Sequence, residues 1–334
     1  MTLKKYSIGV IGDGAWGTTL AILLAEKGYP VTVWGAFPDY LHQVSETREN
    51  VKFLPGIKIP QTICFSSELE HVLAAVDIVV LAVPSQFLSG VLRGIKKCQF
   101  KGKPFVSVVK GIDPETLMTM SQVIKHELGN IPVAVLSGPT IAIEVAKKIP
   151  TTAVVACKDP VLARELQQIF SCSHFRIYTN DDVRGVELCG SVKNVIALAC
   201  GICDGLGFGT NTKAAILTRG LVEMTRLGKV LRARPETFVG LTGLGDLATT
   251  CFSPSSRNRT VGYELGKGRS IKDILASMDS VAEGVHTARA VHNLARKLAI
   301  DMPITEGVYK IIFKGKSARK VVSDLMGRTL KKEL

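Results

Sequence analysis

The chain is poor in aromatic residues, which make up 6% of its 334 positions. It also lacks an apolar run of the ~18 residues needed to cross a bilayer, so no membrane span is expected. Its 42 lysines and arginines outnumber its 29 acids, for a net charge of +13, which favours anionic partners. The basic residues are dispersed along amphipathic patterns, the tail Lys314–Lys332 included, and are not interleaved with stacking aromatics. No nucleic-acid partner is therefore expected. No secretory apolar segment follows Met1–Lys5, which leads straight into a strand-like run. The closing Lys-Lys-Glu-Leu resembles a retention signal but has no signal peptide to act with.

The eight cysteines are irregularly spaced and do not form a disulfide scaffold in a chain of this length. A cytoplasmic protein with reduced thiols is the expectation. Cys200-Gly-Ile-Cys203 is the one C-x-x-C pair. With no second pair and no thioredoxin-like context, it reads as buried small residues, and no metal is expected. There is no internal repeat, low-complexity segment or Pro/Ser-rich linker.

What is present is ordinary globular material, 46% hydrophobic and 21% charged, in a length that suits about two domains. Strand-like runs occur at Tyr6–Ile11, Val31–Trp34, Ile78–Val83, Phe105–Val109, Val133–Leu136, Thr152–Ala156 and Phe175–Tyr178. They are mostly apolar on both faces, as in a parallel sheet covered on both sides. Helical patterns lie between them, such as Thr18–Lys27 before Gly28 and Glu115–Leu128 before Gly129. Another opens on Asp159 and Pro160. This half is a doubly wound, Rossmann-type α/β domain.

After Asp181 and Asp182 the pattern becomes helical: Val183–Gly201, Ala214–Arg226, Ile271–Met278, Thr287–Leu298, Ile304–Phe313 and Ala318–Met326. The shift sets a boundary near residues 180–190, dividing the chain into 1–185 and an all-α domain over 186–334, entered on a helix.

Gly12-Asp13-Gly14-Ala15-Trp16-Gly17 is G-x-G-x-x-G between a strand and a helix, the context a dinucleotide fingerprint needs. Gly12 permits the tight turn, Gly14 lets backbone approach a pyrophosphate, and Gly17 lets helix and strand pack closely. The helix N-terminus then offers its N–H groups to phosphate. An acid at the end of the second strand would select NAD and an arginine NADP. This chain has Gly35-Ala36-Phe37-Pro38 there, so both cofactors stand. Gly262–Lys267 has the spacing G-x-x-x-G-K, one residue short of a P-loop, and reads as a helix end.

Three polar clusters mark the second half. Glu187, Gly190, Lys193 and Asn194 share one face of an otherwise apolar helix, where lysine is unusual. Asp246 and Thr250 stand at i, i+4 after a glycine-rich run. Ser253–Arg259 gathers hydroxyls, Asn258 and two arginines in a turn suited to phosphate oxygens. In the first half, Lys110-Gly-Ile and Ser137-Gly138-Pro139-Thr140 each end a strand, where ligands sit in doubly wound sheets.

Over essentially its whole length the sequence resembles the bacterial soluble NAD(P)-dependent glycerol-3-phosphate dehydrogenases. The resemblance rests on the glycine fingerprint with Trp16, on Val-Lys110-Gly-Ile and on Leu-Ser-Gly138-Pro-Thr140-Ile-Ala142. It extends through the Glu187–Gly209 block, Gly-Leu-Thr-Gly-Leu-Gly-Asp246-Leu, Ser-Arg257-Asn258-Arg-Thr and Val281-Ala-Glu283-Gly. It implies reversible hydride transfer between NAD(P)H and dihydroxyacetone phosphate, giving sn-glycerol 3-phosphate for glycerophospholipids.

The resemblance also implies roles for particular residues. Lys193 would be the acid/base, with Lys110, Asp246 and Thr250 completing the catalytic set. Gly138, Thr140, Asn194, Ser256, Arg257 and Asn258 would join Lys110, Lys193 and Asp246 on the substrate. Ala15, Trp16, Ala142, Val281 and Glu283, with the three loop glycines, Lys110 and Arg257, would hold the cofactor. A homodimer is allowed. Many members carry Arg or His after the second strand where this chain has Ala36, which weakens the expectation for NADPH.

The chemistry agrees with these roles. A ketone gathers negative charge on oxygen as hydride arrives, and an ammonium both stabilises that charge and gives the proton. Burial and a second cation, Lys110 beside Lys193, would bring such a lysine toward neutrality. The other readings are a related dehydrogenase for a 3-hydroxy acid or phosphogluconate, a nucleic-acid-binding protein, and a silent nicotinamide sensor.

Overall fold

The computed structural model describes residues 6–278, 282–330 and 332–333. They fall into two compact units, one holding the residues through Lys110 together with Met118–Glu187, the other Gly111–Leu117 together with Leu188 onward.

The first unit is built on one eight-stranded sheet. Its strands are β1 (Ile8–Ile11), β2 (Val31–Trp34), β3 (Ile63–Ser66), β4 (Ile78–Leu81), β5 (Phe105–Ser107), β6 (Val133–Ser137), β7 (Thr151–Ala156) and β8 (Phe175–Asn180), in the order β3-β2-β1-β4-β5-β6-β7-β8. All neighbours pair in parallel except β6 and β7. The strand order reverses beside β1, which makes the end of β1 the switch point where doubly wound sheets bind ligands.

The alternation of side chains explains why the central strands β1 and β4 are apolar throughout. Ile8, Val10, Ile78 and Val80 belong to one core layer, whereas Ile11, Val79 and Leu81 belong to the other. β1 and β4 are covered on both faces, so both of their parities must be apolar.

The sequence reading omits one strand and misplaces one helix start. β3 has no clear sequence signature because of its four residues only Ile63 is buried, and Cys64 is exposed. The helix expected over Glu115–Leu128 begins at Met120. Upstream, Asp113 Oδ1 accepts from the N–H groups of Glu115 and Thr116 and from the Thr116 hydroxyl, and Leu117 has φ +60°. Thr119 and Gln122 then cap each other reciprocally at the true start.

In the second unit no strand occurs among the described residues. The helix Val183–Gly205 is long and apolar enough to cross a membrane by length and composition, but its most apolar 18-residue stretch is wholly buried in the protein. Gly111–Leu117 joins this unit through Ile112 in its core and the Ser191 hydroxyl donating to the Gly111 carbonyl at 3.0 Å.

Glycine decides one packing contact. A Cβ on Gly201 or Gly205 would lie 2.0 Å from the Arg259 carbonyl oxygen or 2.1 Å from that of Tyr263. Across the contact, Gly262 and Gly266 would strike the carbonyls of Leu198 at 2.2 Å and Ile202 at 2.3 Å. Four glycines at i, i+4 spacing thus let the helices Val183–Gly205 and Arg257–Gly266 meet backbone to backbone.

Candidate active site

In the first unit the glycine loop follows β1. Gly12 has φ +125° and would place a Cβ 2.6 Å from the Ala82 carbonyl oxygen, while a Cβ on Gly17 would lie 2.0 Å from that of Gly12. Those two glycines are required by the turn and by helix packing. Gly14 is different: nothing stands within 4 Å of its Cβ position. It is also the N-cap of the helix Ala15–Glu26, with no side chain capping the N–H groups of Ala15, Trp16 and Gly17 and no acid in the first turn. An open cradle before an uncapped helix N-terminus fits a dinucleotide pyrophosphate. Trp16 packs edge-on against Phe175, with ring centroids 6.1 Å apart, and the Ala142 carbonyl accepts from Thr19 of the same helix at 3.3 Å.

Along the same sheet edge, Lys110 follows β5 and Gly138 follows β6. The Lys110 ammonium donates to the Gly138 carbonyl at 3.0 Å, and the Thr140 hydroxyl donates to the same oxygen at 3.2 Å. Gly138 has φ +143° and no room for a side chain beside Ala153. The adjoining Ser137 hydroxyl is buried without a partner among the described residues.

In the second unit, Lys193 lies in the middle of the buried helix with its side chain 7% exposed. Its ammonium donates to Asp246 Oδ1 at 2.6 Å and to Thr250 Oγ1 at 2.7 Å. The Thr250 hydroxyl donates in turn to the Asp246 backbone carbonyl at 2.7 Å, which leaves its lone pairs for the lysine. Asp246 opens the helix Asp246–Phe252 after a π-turn over Leu241–Gly245. That turn depends on Gly243, whose Cβ would lie 1.9 Å from the Phe238 carbonyl oxygen.

The Ser253–Arg259 segment, expected as a turn, runs into a helix. Ser256 is the N-cap of Arg257–Gly266, its hydroxyl accepting from the Arg259 N–H at 3.3 Å. Buried Asn258 uses Oδ1 to accept from the Gly284 N–H at 2.9 Å, next to Glu283 at the head of the helix Glu283–Lys297. Gly284 is also where a Cβ would meet the Asn194 carbonyl, at 2.9 Å, so Asn194, Asn258 and Gly284 sit together. Val281 lies outside the described residues.

The two arginines of this segment part company. Arg259 is paired with Asp204, which also holds Lys213. Arg257 has no ion-pair partner among the described residues, which leaves its charge for an anion. Nothing in the sequence near residue 204 signals that difference.

Glu187, which shares the lysine's helix face in sequence, turns out to be occupied. Its carboxylate accepts from the hydroxyls of Thr119 and Ser121 and from the Ser121 N–H, at 2.6–2.8 Å. It thereby caps the helix Met120–Leu128. Sequence reasoning missed Asn50, which is fully buried and donates to the Asp13 carbonyl at 2.7 Å, fixing the glycine loop. Among the described residues no group of three His, Cys, Asp or Glu side chains could hold a metal ion.

Comparison with known proteins agrees along the chain. Residues 7–163 match the N-terminal and residues 182–323 the C-terminal model of NAD-dependent glycerol-3-phosphate dehydrogenase. The chain is 49% identical to a glycerol-3-phosphate dehydrogenase [NAD(P)+] of Syntrophotalea carbinolica over 98% of its own length and 99% of the relative's. It is also 49% identical to that of Geobacter sulfurreducens, over 98% of both. The crystal structure of glycerol-3-phosphate dehydrogenase from Coxiella burnetii superposes with a TM-score of 0.94 at 38% identity, covering 97% of this chain and 99% of that one. The chain belongs to the NAD-dependent glycerol-3-phosphate dehydrogenase family.

Proposed function

We propose that the protein interconverts dihydroxyacetone phosphate and sn-glycerol 3-phosphate in the cytoplasm, supplying glycerol backbones for phospholipids. The observation that carries this reading is the buried Lys193 ammonium, held between Asp246 and Thr250 in a chain of this family.

NAD or NADP, when bound, supplies and accepts the hydride. The Gly12–Gly17 loop takes its pyrophosphate, with Ala15, Trp16, Lys110, Ala142, Arg257, Val281 and Glu283 as further cofactor residues. Lys193 gives its proton to the ketone oxygen during reduction and takes it back from the alcohol during oxidation. Asp246 keeps the ammonium oriented, and Thr250 accepts one of its N–H bonds, so the proton leaves along a fixed direction. Lys110, Gly138, Thr140, Asn194 and Asn258 complete the polar contacts to the triose. Ser256 and Arg257 hold its phosphate, since a helix N-terminus and a guanidinium without an ion-pair partner among the described residues both favour a dianion.

The direct test is to follow oxidation of NADH and of NADPH on addition of dihydroxyacetone phosphate and to identify the product. Appearance of glycerol 3-phosphate supports the reading. Turnover of 3-hydroxy acids or phosphogluconate without it overturns the reading.

A further inference from the structure

In a doubly wound dinucleotide site, the acid that accepts the ribose hydroxyls stands at the end of the second strand. Here that position, just past Trp34, is Gly35. The structure brings a carboxylate to the same place from the glycine loop. A Cβ on Gly35 would lie 2.7 Å from Asp13 Oδ2 and 2.8 Å from Leu41 Cδ1, so a side chain there would press on the Asp13 carboxylate and make it shift.

Asp13 Oδ2 is buried and has no hydrogen-bond partner among the described residues. A buried carboxylate oxygen without a donor is costly, which marks it as waiting for one. The backbone cannot swing the group away. The Asp13 carbonyl accepts from Asn50 Nδ2 at 2.7 Å and from the Thr18 hydroxyl at 3.2 Å. Asn50 is itself tied at Oδ1 by the Tyr40 hydroxyl and the Phe53 N–H. Burial pushes the Asp13 carboxyl up, while its own N–H and Lys52 pull it back. Lys52 is exposed, its ammonium 5.3 Å from the Phe53 ring centroid, where solvent screens it. The Arg48 guanidinium is engaged by the Ile63 carbonyl at 2.7 Å.

We propose that Asp13 sets the cofactor selectivity of this chain: its carboxylate accepts from a hydroxyl of the adenosine ribose and opposes a 2′-phosphate, giving a preference for NADH over NADPH. The inference rests on the reading that the Gly12–Gly17 loop holds the dinucleotide. The acid has moved from the strand end to the loop, and Gly35 is the counterpart of that move.

The test is binding in the absence of substrate, by fluorescence titration of NADH and NADPH and calorimetry with ADP-ribose and 2′-phospho-ADP-ribose. The wild type is expected to bind the unphosphorylated ligand of each pair at least about tenfold more tightly. Asp13→Asn should bring each pair within about threefold, weakening one member and strengthening the other. Asp13→Ser should act alike if the asparagine variant fails to fold, and Gly35→Ala should reduce the ratio by displacing the carboxylate. Lys52→Ala should leave the ratio in place. Equal wild-type affinity for NADH and NADPH overturns the inference, as does a ratio that follows Lys52 or is unmoved by both Asp13 variants. Gly14→Val separates the two levels. If it abolishes all binding while the Asp13 variants leave the ratio unchanged, only the selectivity inference fails. If it leaves all binding intact, the loop reading itself fails.

Discussion

Lys193 and Asp246, 53 residues apart in sequence, form an ion pair of 2.6 Å in which the lysine and aspartate side chains are 7% and 2% exposed. Two buried charges of this kind depend on each other, because removal of one strands the other in a medium that solvates it poorly. Asp246→Ala should therefore cost about 3–5 kcal/mol of stability, seen as a lowered melting temperature. Asp246→Asn retains an oxygen acceptor, so it should melt higher than Asp246→Ala yet lose kcat by about tenfold or more because the ammonium is no longer held by charge. A fully active Asp246→Asn enzyme would remove Asp246 from the positioning of Lys193.

The glycine contact between the helices Val183–Gly205 and Arg257–Gly266 makes a prediction with an internal control. Gly262→Ala puts a methyl group 2.2 Å from the Leu198 carbonyl oxygen, and Gly201→Ala makes the equivalent clash with Arg259. Each should destabilise by about 1–3 kcal/mol or more, as overpacking does. Both should also raise KM for dihydroxyacetone phosphate by shifting Arg257. Gly90→Ala, in the helix Leu88–Ile95 with nothing within 4 Å, should instead gain about 0.5–1 kcal/mol. Chemical denaturation of the three variants checks the ranking.

Most of the first unit was readable because β1 and β4 are apolar at both parities, a pattern that few alternatives produce. The edge strand β3 and the helix Arg257–Gly266 were not readable. One buries a single residue, and the other makes its contact through backbone at glycines, which carry no hydrophobic signal. Likewise the i, i+4 spacing of Asp246 and Thr250 put them on one face, but nothing local says that Lys193 is what they meet. Arg257 and Arg259 look equivalent in sequence, and only the distant Asp204, which neutralises Arg259, separates them.

Glu223 gives the second unit a pH dependence. It is buried and accepts from the N–H groups of Ile304 and Thr305 and from the Thr305 hydroxyl, capping the helix Pro303–Lys314. Burial outweighs those donors and pushes its carboxyl from 4.5 up to about 7. The folded state therefore holds the proton more tightly than the unfolded one. Its contribution is complete below pH 4.5 and is lost as pH rises through about 7. The loss amounts to about 3 kcal/mol. Denaturation between pH 5 and 8 should show this decline in the wild type and a flatter profile in Glu223→Gln.

Arg257, a guanidinium at a helix N-terminus with no ion-pair partner among the described residues, should be specific for the phosphate. A charge-assisted hydrogen bond is worth about 1.5–3 kcal/mol, so Arg257→Ala should reduce kcat/KM for dihydroxyacetone phosphate by about 10–150-fold. Unphosphorylated dihydroxyacetone should be a poor substrate that the substitution hardly worsens. Equal losses on both ketones would assign Arg257 to the cofactor or to structure.

Catalysis turns on one proton donor, and the most direct measurement is single-turnover and steady-state reduction of dihydroxyacetone phosphate by Lys193→Met, with NADH affinity titrated in parallel. Methionine fills a similar volume without the ammonium; it strands Asp246 and so lowers the melting temperature, but below that temperature cofactor binding should stay close to wild type. A fall in kcat of about 10²–10⁴ with NADH affinity retained is the predicted result. Turnover within about twofold of wild type would contradict the assignment of Lys193 as the acid/base.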